Sequence, residues 1–240
     1  MNYVVIIAGG VGSRLGAKIP KQFVEVLGKP IIAYTMEHFQ NHREIDGIEL
    51  VCVDGYQDHL KNITDKYGIT KVIKIVEGGS EYERSIMNGV AGLKGIAKPD
   101  DVIMIHWSAS PFINEEMITD NIRVCKEKGN AITASYSYLL YGSNDGECAK
   151  KAINRDSFMT LSAPQSFKYK VITDIYKQVV EKNMFKTVEE AHTTVFMTKL
   201  GIPLYFSKGS HSNIKITEKE DVDMFLGYQL AKKYKEDHKD

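Results

Sequence analysis

Two hydrophobic rhythms alternate along the chain. Short, continuous, β-branched runs at Val4–Ile7, Ile48–Val53, Val72–Val76, Val102–Ile105 and Ala131–Ser135 have the character of strands buried on both faces. Between them, Ile31–Phe39, His59–Tyr67, Ile86–Ile96 and Met117–Cys125 space their apolar residues three or four apart, which lines one face of a helix. Such alternation predicts βαβ units and a mainly parallel sheet. Helices are predicted again at 168–183 and 187–199, and a last one over Glu218–Tyr234 that leads into a charged, solvated tail. The rhythm breaks between 136 and 162. There Tyr136, Tyr138, Leu139, Leu140 and Tyr141 precede the turn Gly142-Ser143-Asn144-Asp145-Gly146, and Ala149–Phe158 follows it. Two apolar segments around such a turn predict a β-hairpin arm. With no repeats and no low-complexity linker, residues 1–240 read as one domain carrying the arm 136–162.

Composition narrows the function classes. A chain of 240 residues is long enough to bury a substantial core. Its 31 basic and 31 acidic residues cancel, so there is no overall basic field to hold nucleic acid. Affinity for an anion must be built locally. Cys52, Cys125 and Cys148 are scattered, with no Cys-x-x-Cys pair, which argues for a reducing compartment and against a zinc site. Met1-Asn2-Tyr3 runs directly into a strand without the charged and apolar regions of a signal peptide, and no run is long enough to span a bilayer. The expectation is a cytoplasmic protein with no membrane partner. Of the seven histidines only His106 falls in a motif, and His38, His42 and His59 are expected on helix surfaces.

The first strand runs into Ala8-Gly9-Gly10-Val11-Gly12-Ser13-Arg14-Leu15-Gly16, followed by Pro20-Lys21-Gln22-Phe23. Glycines let the backbone turn sharply and bring its N–H groups close to a ligand. Amides in such a loop form a concavity for anions, and Arg14 and Lys21 add positive charge beside it. The loop lacks the last glycine of a dinucleotide fingerprint and the Gly-Lys-Ser/Thr of a Walker loop. It reads as a cradle for a polyphosphate at a strand end. In open α/β sheets ligands collect at the carboxyl ends of the strands, which would bring Ala8–Lys21, Gly78–Ser85 and His106–Phe112 to one edge.

The glycine-rich string and its Pro-Lys-Gln-Phe sequel resemble the signature of sugar-nucleotide pyrophosphorylases. Among these, the chain most resembles the cytidylyltransferases acting on methylerythritol phosphate or ribitol 5-phosphate. Three further matches follow in order: Gly78-Gly79 with Ser85 and Asn88-Gly89; Arg155 with Ala163-Pro164-Gln165-Ser166-Phe167; and Asn213-Ile214-Lys215-Ile216-Thr217 with Glu220-Asp221. The resemblance implies an α/β, Rossmann-like three-layer nucleotidyltransferase fold, a mixed but mainly parallel sheet and a protruding β-hairpin arm that grips a second subunit in a homodimer. It implies transfer of CMP from CTP to a small phosphorylated acceptor, with release of pyrophosphate. Arg14 and Lys21 match the catalytic positions that stabilise the pentavalent phosphorus. Ile7, Ala8, Gly9, Gly10, Gly12, Gly79, Ser80, Ser85 and Ser108 fall at CTP-binding positions, and Arg155 and Lys215 at positions that hold the acceptor phosphate. Mg²⁺ is expected with CTP, held mainly through the triphosphate, with no dedicated protein metal site.

The pattern departs from the family at several points. The usual His-Asp-Ala-Ala/Val-Arg-Pro-Phe is here His106-Trp107-Ser108-Ala109-Ser110-Pro111-Phe112, so the acid is Trp107 and the arginine Ser110. Trp107 either fills the core or walls the pocket and stacks on a ligand. The arginine three residues after Gly79 is Tyr82, with Arg84 two positions on, the threonine at the start of the arm is Tyr138 or a neighbour, and the Asp before Asn-Ile-Lys is Ser212. Glu189-Glu190 match an acidic pair and read as structural or as supporting the site's contact residues from behind. The triphosphate positions are kept while positions around the acceptor change. That slightly favours a ribitol-5-phosphate-like acceptor over methylerythritol phosphate and leaves another polyol phosphate, or a small phosphorylated compound used in cell-surface polymers, open. Use of another nucleoside triphosphate, or a non-catalytic nucleotide-binding paralogue, are the competing readings.

Overall fold

A computed structural model describes residues 1–10, 16 and 19–238. In chain order the elements are β1 (Asn2–Ala8), β2 (Glu25–Val26), β3 (Lys29–Pro30), α1 (Ile31–Asn41), β4 (Gly47–Cys52), α2 (Gln57–Lys66), β5 (Val72–Glu77), α3 (Tyr82–Gly92), β6 (Val102–Trp107) and α4 (Glu115–Lys128). There follow β7 (Asn130–Tyr136), β8 (Tyr141–Gly142), β9 (Ala152–Ile153), β10 (Met159–Lys168), α5 (Tyr169–Glu181), α6 (Met184–Thr187), α7 (Thr193–Lys199), β11 (Phe206–Lys208) and α8 (Lys219–Asp237). Short 3-10 helices cover Lys21–Phe23 and Arg155–Ser157.

Seven strands form one sheet in the order β11-β7-β10-β6-β1-β4-β5. β1 is central, parallel to β4 on one side and to β6 on the other. Only β10 runs antiparallel to its neighbours, wedged between β6 and β7. The sheet is mixed and mainly parallel, as expected. Alternation along β1 divides the core. Val4 and Ile6 pack with Ile32, Met36 and Phe39 of α1, Leu60 of α2 and Met117 and Ile118 of α4. Val5 and Ile7 pack the other way, with Ile86 of α3, Ile172 and Tyr176 of α5 and Phe196 of α7. Period-2 side chains feeding helices on both faces produce the three layers. Each large aliphatic side chain buried this way contributes about 1.5–3 kcal/mol.

Local signals explain most boundaries. Asn114 caps α4 by accepting from the Met117 N–H at 3.0 Å, and Gly129 ends it in the left-handed region with φ 91°. α8 begins with a reciprocal capping box between Glu218 and Asp221 and is anchored by buried Phe225 against Phe112 and Ile216.

The structure differs from the sequence reading in several places. The helix expected over 187–199 is two short ones, α6 and α7, separated by an irregular link at 188–192, after which Thr193 is drawn onto a buried carboxylate of α3. The Ile86–Ile96 helix starts earlier, at Tyr82, and ends at Gly92, where the chain turns through Gly95 with φ 83°. α8 runs three residues beyond Tyr234. β10 and β11 carry no alternation strong enough to have been read as strands; they are set by pairing with β7. His42 is buried rather than on a helix surface, its Nε2 3.0 Å from Thr119 Oγ1, and His38 is half-buried against the Pro111 carbonyl. The arm begins and ends as extensions of β7 and β10, and its hairpin proper is only the β8–β9 pair, with Tyr141 opposite Ile153. The Ser143-Asn144-Asp145 turn is closed by Asp145 Oδ2 accepting from Ser143 Oγ at 2.5 Å and from the Lys150 N–H at 2.9 Å.

Candidate functional site

The carboxyl ends of β1, β4 and β5 open into a cleft of about 460 Å³, whose lining includes Ile7, Gly9, Gly10, Asp54, Glu77, Gly79, Ser80, Tyr82 and Ser85. Two glycines are needed here for close approach. A Cβ on Gly9 would sit 2.8 Å from Ser85 Oγ, and one on Gly79 would sit 2.3 Å from Arg84 Cβ and 2.9 Å from the Ser85 nitrogen. The loops after β1 and β5 therefore pack backbone against the first turn of α3. Ser85 fastens the second loop, accepting from the Gly79 N–H at 3.0 Å and donating to the Glu81 carbonyl at 3.1 Å. Among the described residues no atom lies within 4 Å of where a Gly10 Cβ would be, and Gly10 lines the cleft.

The first loop is braced from behind. Gln22, almost fully buried, donates through Nε2 to the Ala8 carbonyl at 2.8 Å and to the Gly10 carbonyl at 3.1 Å. Both carbonyls are thereby engaged by one buried side-chain amide. The motif string contained Gln22, but its task was not evident, because only the fold places an amide 14 residues away against the strand end.

Lys21 and Lys215 come together through the C-terminal segment. The Lys21 ammonium donates to the Ile216 carbonyl at 2.7 Å, and the Ile216 N–H donates to the Ala109 carbonyl at 2.8 Å. Asn213 Nδ2 donates to the Ala163 carbonyl at 2.6 Å, tying that segment to β10. Lys215 Nζ lies 4.6 Å from the Trp107 ring centroid and 5.4 Å from that of Tyr82. Trp107 Nε1 donates to the Tyr82 hydroxyl at 2.5 Å. Burial, then neighbouring Glu83, raises the pKa of that hydroxyl, which stays protonated. Trp107 is thus a wall rather than a core filler. On its far side a second cleft, about 330 Å³, includes Trp107, Leu161, Gln165, Glu190, His192, Thr194 and Lys215 in its lining. Tyr82 lines the first cleft and its partner Trp107 the second.

The remaining expected positions are distributed as follows. Gly12 and Arg14 lie outside the described residues. Ala8 is buried beneath the cleft, paired with Cys52. Ser108 does not line either cleft: it is buried, its N–H donates to the Ile7 carbonyl and its carbonyl accepts from Thr35 Oγ1 at 2.9 Å. The 106–112 segment therefore contributes only Trp107 to the edge and then turns under the sheet towards α1. His106 is fully buried against Phe39, its Nε2 donating to the Ser110 carbonyl at 3.0 Å, and burial lowers its pKa to about 4. Arg84 reaches away, its guanidinium 4.0 Å over the Phe185 ring. Arg155 is exposed on the arm, donates to the Tyr138 carbonyl at 3.1 Å and does not line the Lys215 cleft of its own chain.

Sequence reasoning missed Glu83. Its side chain is 1% exposed and accepts from Tyr176 Oη at 2.6 Å, Thr193 Oγ1 at 2.9 Å and the Thr193 N–H at 3.1 Å. Burial raises its pKa, opposed by these bonds and by His192. A lone Glu in a helix-forming stretch gives no sign of this, since all its partners are about a hundred residues away.

Among the described residues there is no group of three His, Cys, Asp or Glu that could hold a metal ion. No described helix is long and apolar enough to cross a membrane.

Comparison with known proteins agrees with this architecture. The profile of the 2-C-methyl-D-erythritol 4-phosphate cytidylyltransferase family (IspD) matches residues 2–226. A ribitol-5-phosphate cytidylyltransferase from Lacticaseibacillus paracasei is 38% identical over 233 residues, covering 97% of this chain and 99% of the relative. A 2-C-methyl-D-erythritol 4-phosphate cytidylyltransferase from Clostridium botulinum is 36% identical over 233 residues, covering 97% and 98%. The crystal structure of 4-diphosphocytidyl-2C-methyl-D-erythritol synthase from Anaerococcus prevotii superposes with a TM-score of 0.78 at 25% identity, covering 95% of this chain and 98% of that one. On a profile match over nearly its whole length, supported by these relatives and this fold, the chain belongs to the IspD cytidylyltransferase family.

Proposed function

We propose that this chain transfers a cytidylyl group from CTP to the phosphate of a ribitol-5-phosphate-like polyol and releases pyrophosphate. The observation that carries this reading is the pair of clefts divided by Tyr82 and Trp107, one lined by glycine backbone at the ends of β1 and β5, the other containing Lys215. CTP would occupy the first and the acceptor the second, meeting at the partition. An oxygen of the acceptor phosphate bonds to the α-phosphorus, the bond from that phosphorus to the bridging oxygen breaks, and pyrophosphate leaves with the electron pair. The attacking group is already an anion, so no base is required. Alignment of two anions and neutralisation of growing charge carry the rate.

In this reading Arg14 and Lys21 stabilise the charge on phosphorus. The amides of Gly9, Gly10 and Gly12 approach the phosphates, while Gly79, Ser80 and Ser85 form the nucleoside side. Ile7 lines the same cleft, and Ala8 and Ser108 act from beneath it through their backbone pairings with β4 and β1. Lys215 holds the acceptor phosphate. Two observations favour ribitol phosphate: relatives of that name match over 94–97% of the chain at 37–38% identity, and Trp107 stands where the family has an acid, in the lining of the Lys215 cleft.

Mg²⁺ fits the donor set in one manner only. Trp107 offers no oxygen, whereas Asp54 and Glu77 line the nucleotide cleft. These suit an ion held chiefly by triphosphate oxygens and water, with one or two carboxylates at hand. When bound, it would supply charge neutralisation of the triphosphate. A homodimer is supported by the exposed Tyr138, Leu139, Leu140 and Phe158 of the arm, and by Arg155 lying away from its own Lys215 cleft. The cytoplasm, with its supply of CTP, is the compartment this chemistry suits.

The test is pyrophosphate release across CTP, UTP, ATP and GTP with ribitol 5-phosphate, methylerythritol phosphate and other polyol phosphates. CTP with ribitol 5-phosphate is expected to give the highest kcat/KM, and Lys21→Ala to lower kcat by about 100- to 1,000-fold. Turnover with another base overturns the nucleotide assignment. Nucleotide-dependent thermal stabilisation without turnover on any acceptor identifies a binding paralogue instead.

A further inference from the structure

The cleft over Lys215 has a second set of polar groups. Glu190 and His192 come from the irregular link before α7, and Thr194 from the first turn of that helix. The link is fixed in place by Glu83, whose three hydrogen bonds to Tyr176 and Thr193 pin α7 onto α3 and α5. His192, directly before Thr193, has Nδ1 3.6 Å from Glu83 Oε1 and Nε2 3.9 Å from Glu190 Oε1. Its ring lies 5.5 Å from that of Tyr82, against the aromatic partition, and its side chain is 40% exposed. By holding Thr193, Glu83 fixes the backbone next to His192 and leaves a half-exposed imidazole in the lining of the cleft.

The chemistry of this part of the cleft is complementary to Lys215. A carboxylate repels phosphate, whereas carboxylate, imidazole and hydroxyl groups together suit neutral hydroxyls as donors and acceptors. We propose that His192, positioned by Glu83, is a specificity-determining residue that hydrogen-bonds a hydroxyl of the acceptor's polyol chain, and so selects acceptors long enough to reach it. This rests on the proposed function, because it takes the Lys215 cleft as the acceptor's. Glu83 is a positioning residue, since it touches the link and not the acceptor.

The test compares wild type, His192→Ala and His192→Gln with ribitol 5-phosphate and with the shorter glycerol 3-phosphate, each at saturating CTP. His192→Ala is expected to raise KM for ribitol 5-phosphate about 3- to 10-fold, the loss of one hydrogen bond, with kcat and the KM for CTP within twofold. Its preference for ribitol over glycerol phosphate should shrink by the same factor, and His192→Gln should restore part of it. Glu83→Gln should reduce the preference in the same direction, a change that lower stability alone would not produce. An unchanged preference in folded His192→Ala and His192→Gln, with wild type active, refutes the role of His192 and leaves the function intact. Wild type inactive on every polyol phosphate refutes both.

Discussion

Gln22 offers the sharpest check on how the glycine loop is held. Its amide bonds both the Ala8 and the Gly10 carbonyls from a buried position, across 14 and 12 residues of chain. Gln22→Leu keeps most of the volume and removes both donors. The Ala8 carbonyl retains the Val53 N–H at 3.1 Å, so the Gly10 carbonyl bears the larger loss. Two neutral hydrogen bonds at about 0.5–1.5 kcal/mol each make the expected destabilisation about 2 kcal/mol. For a domain of this size that lowers Tm by about 4–8 °C. The functional consequence should exceed the thermal one, because the released carbonyls border the nucleotide cleft. KM for CTP is expected to rise about tenfold, while KM for the acceptor stays within twofold. Gln22→Glu should be worse at neutral pH, since a carboxylate cannot donate to either carbonyl. Calorimetry and steady-state kinetics read both quantities. A Gln22→Leu protein with Tm within 1 °C of wild type and an unchanged KM for CTP would refute the brace.

Two further predictions concern stability and assembly. Glu49 is buried on β4 with neither carboxylate oxygen hydrogen-bonded, and burial pushes its pKa up to about 7, partly offset by Lys74. A pKa raised on folding gives stability that is full below the unfolded value near 4.5 and lost as pH rises through about 7, so Glu49→Met should gain Tm over wild type between pH 5 and 8; equal pH profiles of Tm would refute this. On the arm, Leu139→Glu with Leu140→Glu places two charges on an exposed apolar tip and is expected to convert a dimer to a monomer in light scattering at micromolar concentration, with loss of turnover if Arg155 serves the partner's site; a wild-type monomer would remove the dimer proposal.

The two hydrophobic rhythms sufficed for the parallel half of the sheet and the helices covering it, because period 2 and period 3.6 are local properties of consecutive residues. The Gly9-Gly10 backbone at the end of β1 was legible for the same reason, because a glycine's backbone freedom is written in the residue itself. The tertiary structure alone decided the rest. β10 and β11 are strands because β7 offers them an edge. Residues 188–192 stay out of a helix because Glu83 holds Thr193. Trp107 is a partition and not core because Tyr82, 25 residues away, supplies an acceptor for its N–H. Ser108 leaves the edge because Thr35 and Ile7 take its backbone groups. Sequence determines what each short segment can do alone, whereas the identity of a site is set by which distant groups satisfy one another's hydrogen bonds once water is gone.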